Sequence, residues 1–253
     1  MDLKEEEILG DQVHSHWYYR AKVAALLRDL PRVPPREILD IGAGSGFFSR
    51  MLLQHTTAER ATCVDIGYAE DRSETCCGKP IKFCRTIDKC SADLVLALDV
   101  MEHVPDEASL MRPYVSLVAP RTRFIISVPA FAFLWSSHDV FLEHYRRYTL
   151  GRIKRAVRAC GLVVDWGHYY YGAVFPIAAG IRLMEQLKNR KTIEPKSQLR
   201  KHGPLENAVL AALCAAERPF MRANQLFGLT VFVGCHKPSF EDRPTRQVRS
   251  AAP

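Results

Sequence analysis

An α/β fold, with a mostly parallel sheet covered by helices on both faces, is predicted by three observations in the sequence. Short apolar runs alternate with segments of helical spacing, and a glycine-rich turn, Gly42-Ala43-Gly44-Ser45-Gly46, joins the first run to a helix. An acid, Asp65, closes the second run 25 residues after Asp40. Ligands of such sheets bind at the carboxyl ends of the strands, where the glycine turn and Asp65 both fall.

Taken in order, residues 12–30 place Val13, Trp17, Ala21, Ala24 and Leu27 at helical spacing, and Pro31 with Pro34-Pro35 stops the segment. A lead-in helix is expected there. Runs at 36–41, 61–65, 81–84, 93–98 and 123–128 read as strands, residues 149–160 as a helix capped by Thr149, and 161–166 and 229–235 as the last two strands. About 60 residues separate those two strands, far more than a loop, so a helical insertion is expected. The organisation predicted is a lead-in at 1–35, a cofactor-binding domain at 36–170 and 229–237, an insertion or lid at 171–228, and a polar tail at 238–253.

Composition narrows the functional classes. The chain has 253 residues, 47% hydrophobic and 25% charged, which excludes a disordered or low-complexity protein. Its net charge of +7 admits an anionic partner without naming one. The 8 cysteines lack the paired Cys-x2-Cys spacing of a zinc site and read as free thiols of a reducing compartment. With no signal-like start and no uncharged apolar stretch of spanning length, a cytoplasmic chain is expected.

The glycines at 42, 44 and 46 let the backbone approach a ligand, and the helix that follows offers unpaired N–H groups to a negative group. Asp65 is placed to accept from ribose hydroxyls, so a nucleoside-bearing cofactor is expected. A dinucleotide loop needs a third glycine where this chain has Phe47, and Asp40 at the strand end would repel a pyrophosphate. Asp40 suits a ligand carrying an ammonium group instead.

The segment Ile38-Leu39-Asp40-Ile41-Gly42-Ala43-Gly44-Ser45-Gly46 resembles motif I of class I S-adenosylmethionine-dependent methyltransferases. Asp65 matches that family's ribose-binding acid. Residues 92–104, from Ala92-Asp93-Leu94 through Asp99-Val100-Met101-Glu102-His103-Val104, resemble the branch containing ubiquinone-biosynthesis O-methyltransferases. The resemblance spans roughly residues 12–170 plus the last strand. It implies a Rossmann-like seven-stranded sheet with an antiparallel last strand, and S-adenosyl-L-methionine as cofactor.

It also implies roles. The glycine loop would pack against the methionine part, Asp65 would take the ribose, and backbone groups near Leu98 and Asp99 would face the methionine end. Ile87, within Arg85-Thr86-Ile87-Asp88, would stack on adenine, although this stretch departs from the commoner Asp-then-hydrophobic pattern. The lead-in segment His16-Trp17-Tyr18-Tyr19-Arg20 resembles one common in bacterial members of the branch, and Arg20 would face the cofactor carboxylate. Asp99, Glu102 and His103 reproduce the spacing of a divalent-cation site in some ubiquinone-type relatives, but three such groups make a poor oxygen cage and no metal is expected.

A sulfonium methyl is already activated, so a base is needed only for some acceptors. His138, beside Asp139 in the segment after the fifth predicted strand, is the leading candidate, with His144 second and His103 next. The aromatics of 131–135 would form an acceptor wall, or simply pack as core. Residues 182–201 hold seven basic groups against Glu185 and Glu194, next to an apolar stretch at 171–181. That pattern fits contact with an anionic membrane through 171–201 or a lid over a lipid-like acceptor, and equally a solvated basic loop. The Asn/Asp-Pro-Pro-Tyr/Phe signature of amino-directed base methylation is absent after the fourth predicted strand, which argues against nucleic acid. The expected function is methyl transfer to an oxygen of a small apolar or lipid-like acceptor; the alternatives are an RNA or protein methyltransferase and a non-catalytic cofactor-binding protein.

Overall fold

Leu94–Leu98 is a run of five residues, every one buried, and a strand apolar on both sides belongs in the middle of a parallel sheet. The computed structural model, which describes residues 8–188, 197 and 202–239, places it there. The strands are β1 (Glu37–Ile41), β2 (Arg60–Val64), β3 (Arg72–Cys76), β4 (Lys79–Cys84), β5 (Leu94–Leu98), β6 (Arg123–Pro129), β7 (Val163–Tyr170) and β8 (Thr230–His236). They lie in the order β3-β4-β2-β1-β5-β6-β8-β7. β1 pairs in parallel with β2 on one side and β5 on the other, so the chain reverses its direction of travel across the sheet between them. β8 runs antiparallel to both β6 and β7.

The helices are α1 (Trp17–Asp29), α2 (Phe47–His55), α3 (Glu107–Leu117), α4 (Ser137–Phe141), α5 (Leu150–Ala159), α6 (Phe175–Lys188) and α7 (Pro204–Glu217). Thr149 caps α5, its side chain accepting from Arg152 N. Leu26, Phe48 and Leu52 of α1 and α2 pack on one face of the sheet with Ile38, Leu96 and Phe232. Val115, Ile153 and Val157 of α3 and α5 close the other face on Leu39, Val95 and Ile126.

The mostly parallel sheet, its antiparallel last strand and the helical insertion are as expected, with an eighth strand added. β3 turns into β4 through Cys77 and Gly78, both at positive φ (52° and 76°), the geometry of a tight two-residue hairpin. β7 runs to Tyr170, four residues past the predicted end, because Gly167 to Tyr170 face buried surroundings.

The lead-in helix and the insertion form one cap. Trp17 N donates to Asn207 Oδ1 at 2.8 Å, Asn207 Nδ2 to Ser15 O at 3.0 Å, and Tyr171 Oη to Tyr18 O at 2.7 Å. Asp29, buried at the end of α1, takes Arg222 and His168 at 3.0 and 2.8 Å. Among the described residues no helix is long and apolar enough to cross a membrane. Most of the predicted tail (240–253) and the basic residues Arg190, Lys191, Lys196, Arg200 and Lys201 lie outside the described residues.

Candidate active site

The reversal between β1 and β5 is where a cofactor fits in this topology. Gly42 follows β1 at φ 64°, and a Cβ there would meet the Val100 side chain at 2.6 Å. Gly46 starts α2 at φ 72°, where a Cβ would meet the Phe83 ring at 2.7 Å. Both positions demand glycine for conformation and for space. Gly44 N donates to Asp65 Oδ2 at 2.9 Å, so the acid at the end of β2 orders the loop it was expected to serve. Asp65 Oδ1 takes Gly67 N at 2.8 Å, and each oxygen keeps acceptor capacity for a hydroxyl pair. Ser45 Oγ, at the loop tip, is buried with no partner among the described residues. A close-approach loop, an orphaned hydroxyl and an acid at the next strand end fit a nucleoside-bearing ligand.

The other predicted cofactor residues divide. Asp40 is 3% exposed and takes Ser49 Oγ at 2.8 Å, so it faces inward beneath the loop; burial, more than any charge, raises its pKa to about 6. Leu98 is buried, Ile87 is half-buried on the α3 side of the core, and Asp88 is exposed. Arg20 is exposed and does not line the cavity described below. The α1 cation that turns inward is Lys22, which sequence reasoning missed. It is fully buried and ion-paired with Asp99, whose Oδ1 also takes Ser127 Oγ at 3.0 Å. Burial alone would lower the Lys22 pKa, yet the neighbouring Asp99 carboxylate raises it above the ordinary amine value.

Beyond Asp99 opens a cavity of about 770 Å³, within the range of small-ligand sites. All three predicted histidines, His103, His138 and His144, line it. Asp139 is not the partner of its neighbour His138 in the way the sequence implied. Its carboxylate accepts from His144 Nδ1 at 2.9 Å and from Arg147 Nε at 2.7 Å, while its other oxygen caps α4 through Ser136 N at 2.9 Å. Burial opposes charge on Asp139, but His144 and Arg147 outweigh it and hold the pKa well below the carboxylate range. Asp139 and Ser136 form the capping box that starts α4, which fixes this carboxylate in place.

Glu102 lines the same cavity, fully buried, with neither carboxylate oxygen partnered among the described residues. Burial first, then the Asp99 charge, pushes its pKa well above the carboxylate range. Glu102, His103 and His144 bring one ligand atom each within 4.8 Å of one another. Asp99, whose spacing with Glu102 and His103 resembles a cation site in sequence, is not part of this group and is ion-paired with Lys22.

The outer walls also differ from expectation. Phe131 stacks on Tyr169 with centroids 5.0 Å apart, and Phe133 meets Phe175, so these aromatics brace the loop and do not line the cavity. Trp17 and Tyr18 of α1 and Ile177, Ala178 and Ile181 of α6 line it instead. Arg182 sits on that wall, its pKa lowered to about 10 by burial and then by the nearby Arg147.

Residues 15–165 match the family model described as methyltransferase domain. No curated protein sequence matches significantly. Among solved structures, the chain is similar to the methyltransferase solved in complex with the Haloferax volcanii Trm112 methyltransferase activator, with TM-score 0.54, 16% identity, and 90% of this chain and 92% of that one covered. It is similar to Haemonchus contortus phosphoethanolamine N-methyltransferase 2 in complex with S-adenosyl-L-methionine, with TM-score 0.54, 16% identity, and 94% and 57% covered. An S-adenosylmethionine-dependent methyltransferase from Mesorhizobium loti gives TM-score 0.53, 15% identity, and 88% and 99% covered. These likenesses carry the fold, and the family match covers well over half of the chain. The chain therefore belongs to the methyltransferase domain family and is an S-adenosylmethionine-dependent methyltransferase.

Proposed function

We propose that this enzyme methylates an oxygen of a small apolar, lipid-like acceptor held in the 770 Å³ cavity, with His144 as general base. The observation that carries the reading is the Asp139–His144 pair on the wall of a cavity whose outer lining includes Leu142, Ile177, Ile181 and Leu210. Bound S-adenosylmethionine supplies an electrophilic methyl on a sulfonium. The protein then has to align the acceptor, exclude water and take its proton.

Asp139 fixes the His144 tautomer that donates from Nδ1, leaving Nε2 as the basic nitrogen for an acceptor hydroxyl. Arg147 keeps Asp139 ionised, so the imidazolium formed on proton uptake is stabilised. Burial favours the neutral form of Glu102, which weakens any second anion beside that base. A neutral amine acceptor would need no such base, and for this reason the dyad favours oxygen over nitrogen. His138 and His103 line the same wall as secondary proton acceptors. Toward the cofactor, the loop of Gly42, Gly44 and Gly46 receives the amino-acid part and Asp65 the ribose, with Ile87 beside adenine and Leu98 and Asp99 at the methionine end. Asp40 supports this loop from below.

The acceptor's source follows from the cap. Ile177, Ile181, Met184 and Leu187 of α6 and Leu205 and Val209 of α7 are exposed, and in sequence Lys188, Arg190, Lys191, Lys196, Arg200 and Lys201 run from the end of α6 toward α7. An exposed apolar face joined in sequence to a basic segment favours an anionic membrane surface. Host extract supplied with methyl-labelled S-adenosylmethionine tests the acceptor class. Label is expected in the organic-soluble fraction; label confined to RNA or protein contradicts the reading.

A further inference from the structure

Arg147 brings to the cavity wall a buried guanidinium whose donors are only partly spent. It is 4% exposed, with Nε donating to Asp139 Oδ1 at 2.7 Å and Nη1 to Ala130 O at 3.0 Å. A guanidinium has five N–H donors, and Nη2 meets no acceptor among the described residues. Its carboxylate partner is shared, because His144 Nδ1 ends on the same Asp139 oxygen at 2.9 Å. A second guanidinium lines the same space. The α6 residues on the cavity wall fall at helical spacing, and along that face the apolar Ile177, Ala178 and Ile181 give way to Arg182. Arg182 Nη1 lies 3.5 Å from Leu134 O, and Gln186 Nε2 ties the following turn of α6 to Phe133 O and Trp135 O at 2.9 and 2.6 Å. Those bonds hold Arg182 beside the turn that leads into α4. Asp139 and Glu185 both favour the Arg182 charge, but the push from Arg147 is stronger than either. The other acids of the wall are engaged elsewhere: Asp99 is paired with Lys22, Glu206 lies 3.0 Å from His202, and burial favours the neutral form of Glu102.

We propose that Arg147 and Arg182 form an oxyanion subsite, and that the acceptor is an amphiphile carrying a carboxylate or phosphate at the same end as the hydroxyl to be methylated. This deepens the lipid-like acceptor reading and rests on it. An oxyanion takes the spare Arg147 donors in the forked geometry that suits carboxylate and phosphate alike, and places a negative charge between two positive ones. A neutral acceptor would cover both guanidiniums with apolar surface and leave their charge without compensation. The shared Asp139 oxygen makes Arg147 and the base His144 neighbours, which sets the anion and the reacting hydroxyl close together. The apolar chain then follows Ile181, Ala178 and Ile177 away from the charges.

Calorimetric titration of the full chain, saturated with S-adenosylhomocysteine, with beta-hydroxydecanoate, its neutral amide and decyl phosphate tests the proposal without turnover. The unsubstituted protein is expected to bind at least one of the two anions about 10- to 100-fold more tightly than the amide, the worth of a charged hydrogen bond. The tighter of the two anions assigns the subsite to carboxylate or to phosphate. Arg182→Met should erase the preference while leaving the amide within about threefold, and Arg182→Lys should keep part of it. Arg155→Met, which removes an exposed cation of α5 outside the cavity, should leave the preference intact. Amide binding as tight as that of both anions overturns the subsite, as does a preference that survives Arg182→Met. Equal loss in Arg155→Met and Arg182→Met overturns it too, since net charge alone would then account for the anions. Should Arg182→Met not fold, the unsubstituted comparison and Arg155→Met decide by themselves. Binding of none of the three, the amide included, would instead remove the lipid-like acceptor reading beneath it.

Discussion

Asp139 gives one oxygen to His144 and Arg147 and the other to the start of α4, so a single buried carboxylate holds a base, a cation and a helix. Asp139→Asn should lower kcat by about 10²- to 10⁴-fold, the usual worth of a positioned base, with cofactor affinity little changed. His138→Ala should cost far less; a loss equal to that of His144→Ala would return the role to His138. Asp40 makes a separate prediction about stability. Its folded pKa of about 6 stands above the ordinary 3.8, so the fold prefers it protonated. Its contribution to stability is therefore greatest at low pH, declines as pH rises from about 4 to 6, and then costs on the order of 3 kcal/mol. Asp40→Asn should gain stability relative to the parent protein between pH 4 and pH 8, and an equal melting difference at both pH values would refute this.

The glycine loop and its strands were legible because their chemistry is local. Gly42, Gly46 and Asp65 are dictated by a turn, a helix start and a strand end, each written within a few residues. Gly46→Ala tests this: the left-handed φ and the Phe83 ring 2.7 Å from the new Cβ should cost at least about 1 kcal/mol of stability and weaken cofactor binding. Unchanged melting and affinity would contradict it. The lead-in helix was legible only in part. Its apolar spacing implied a face through Val13, Trp17, Ala21, Ala24 and Leu27; Val13 and Ala21 are buried, but the rest of the buried face carries Tyr19, Lys22, Val23, Ala25, Leu26 and Asp29. Lys22 and Asp29 carried no signal in the sequence, because their partners, Asp99, His168 and Arg222, are remote in sequence. Likewise the Asp139–His144 bond spans a turn that places residues five apart together, which adjacency in sequence concealed. The added strand, β3, left little signal: Arg72-Ser73-Glu74-Thr75-Cys76 has no apolar alternation, and only the Cys77-Gly78 pair marks the turn.

At the scale of the whole molecule, the carboxyl ends of β5 and β6, the lead-in helix and the insertion close one cavity, and the exposed apolar residues gather on the cap that borders it. Flotation with vesicles carrying anionic lipid should recover the protein in the lipid fraction. Charge introduced on the exposed face of α6, as in Met184→Glu with Leu187→Glu, should reduce that recovery severalfold without changing cofactor binding. Recovery that ignores both lipid charge and these substitutions would make the face a packing surface only. Fold and cofactor followed from motifs, whereas the acceptor side depends on contacts across 40 to 190 residues of chain, as between Met101 and Tyr148 or Trp17 and Asn207.

The most direct measurement compares His144→Ala with the unsubstituted enzyme in one preparation, reading S-adenosylmethionine affinity by calorimetry and labelled methyl delivered to the organic-soluble fraction. Affinity within about threefold and transfer reduced by at least about 100-fold are expected. Undiminished transfer, or transfer lost only in step with affinity, would contradict His144 as the base at this site.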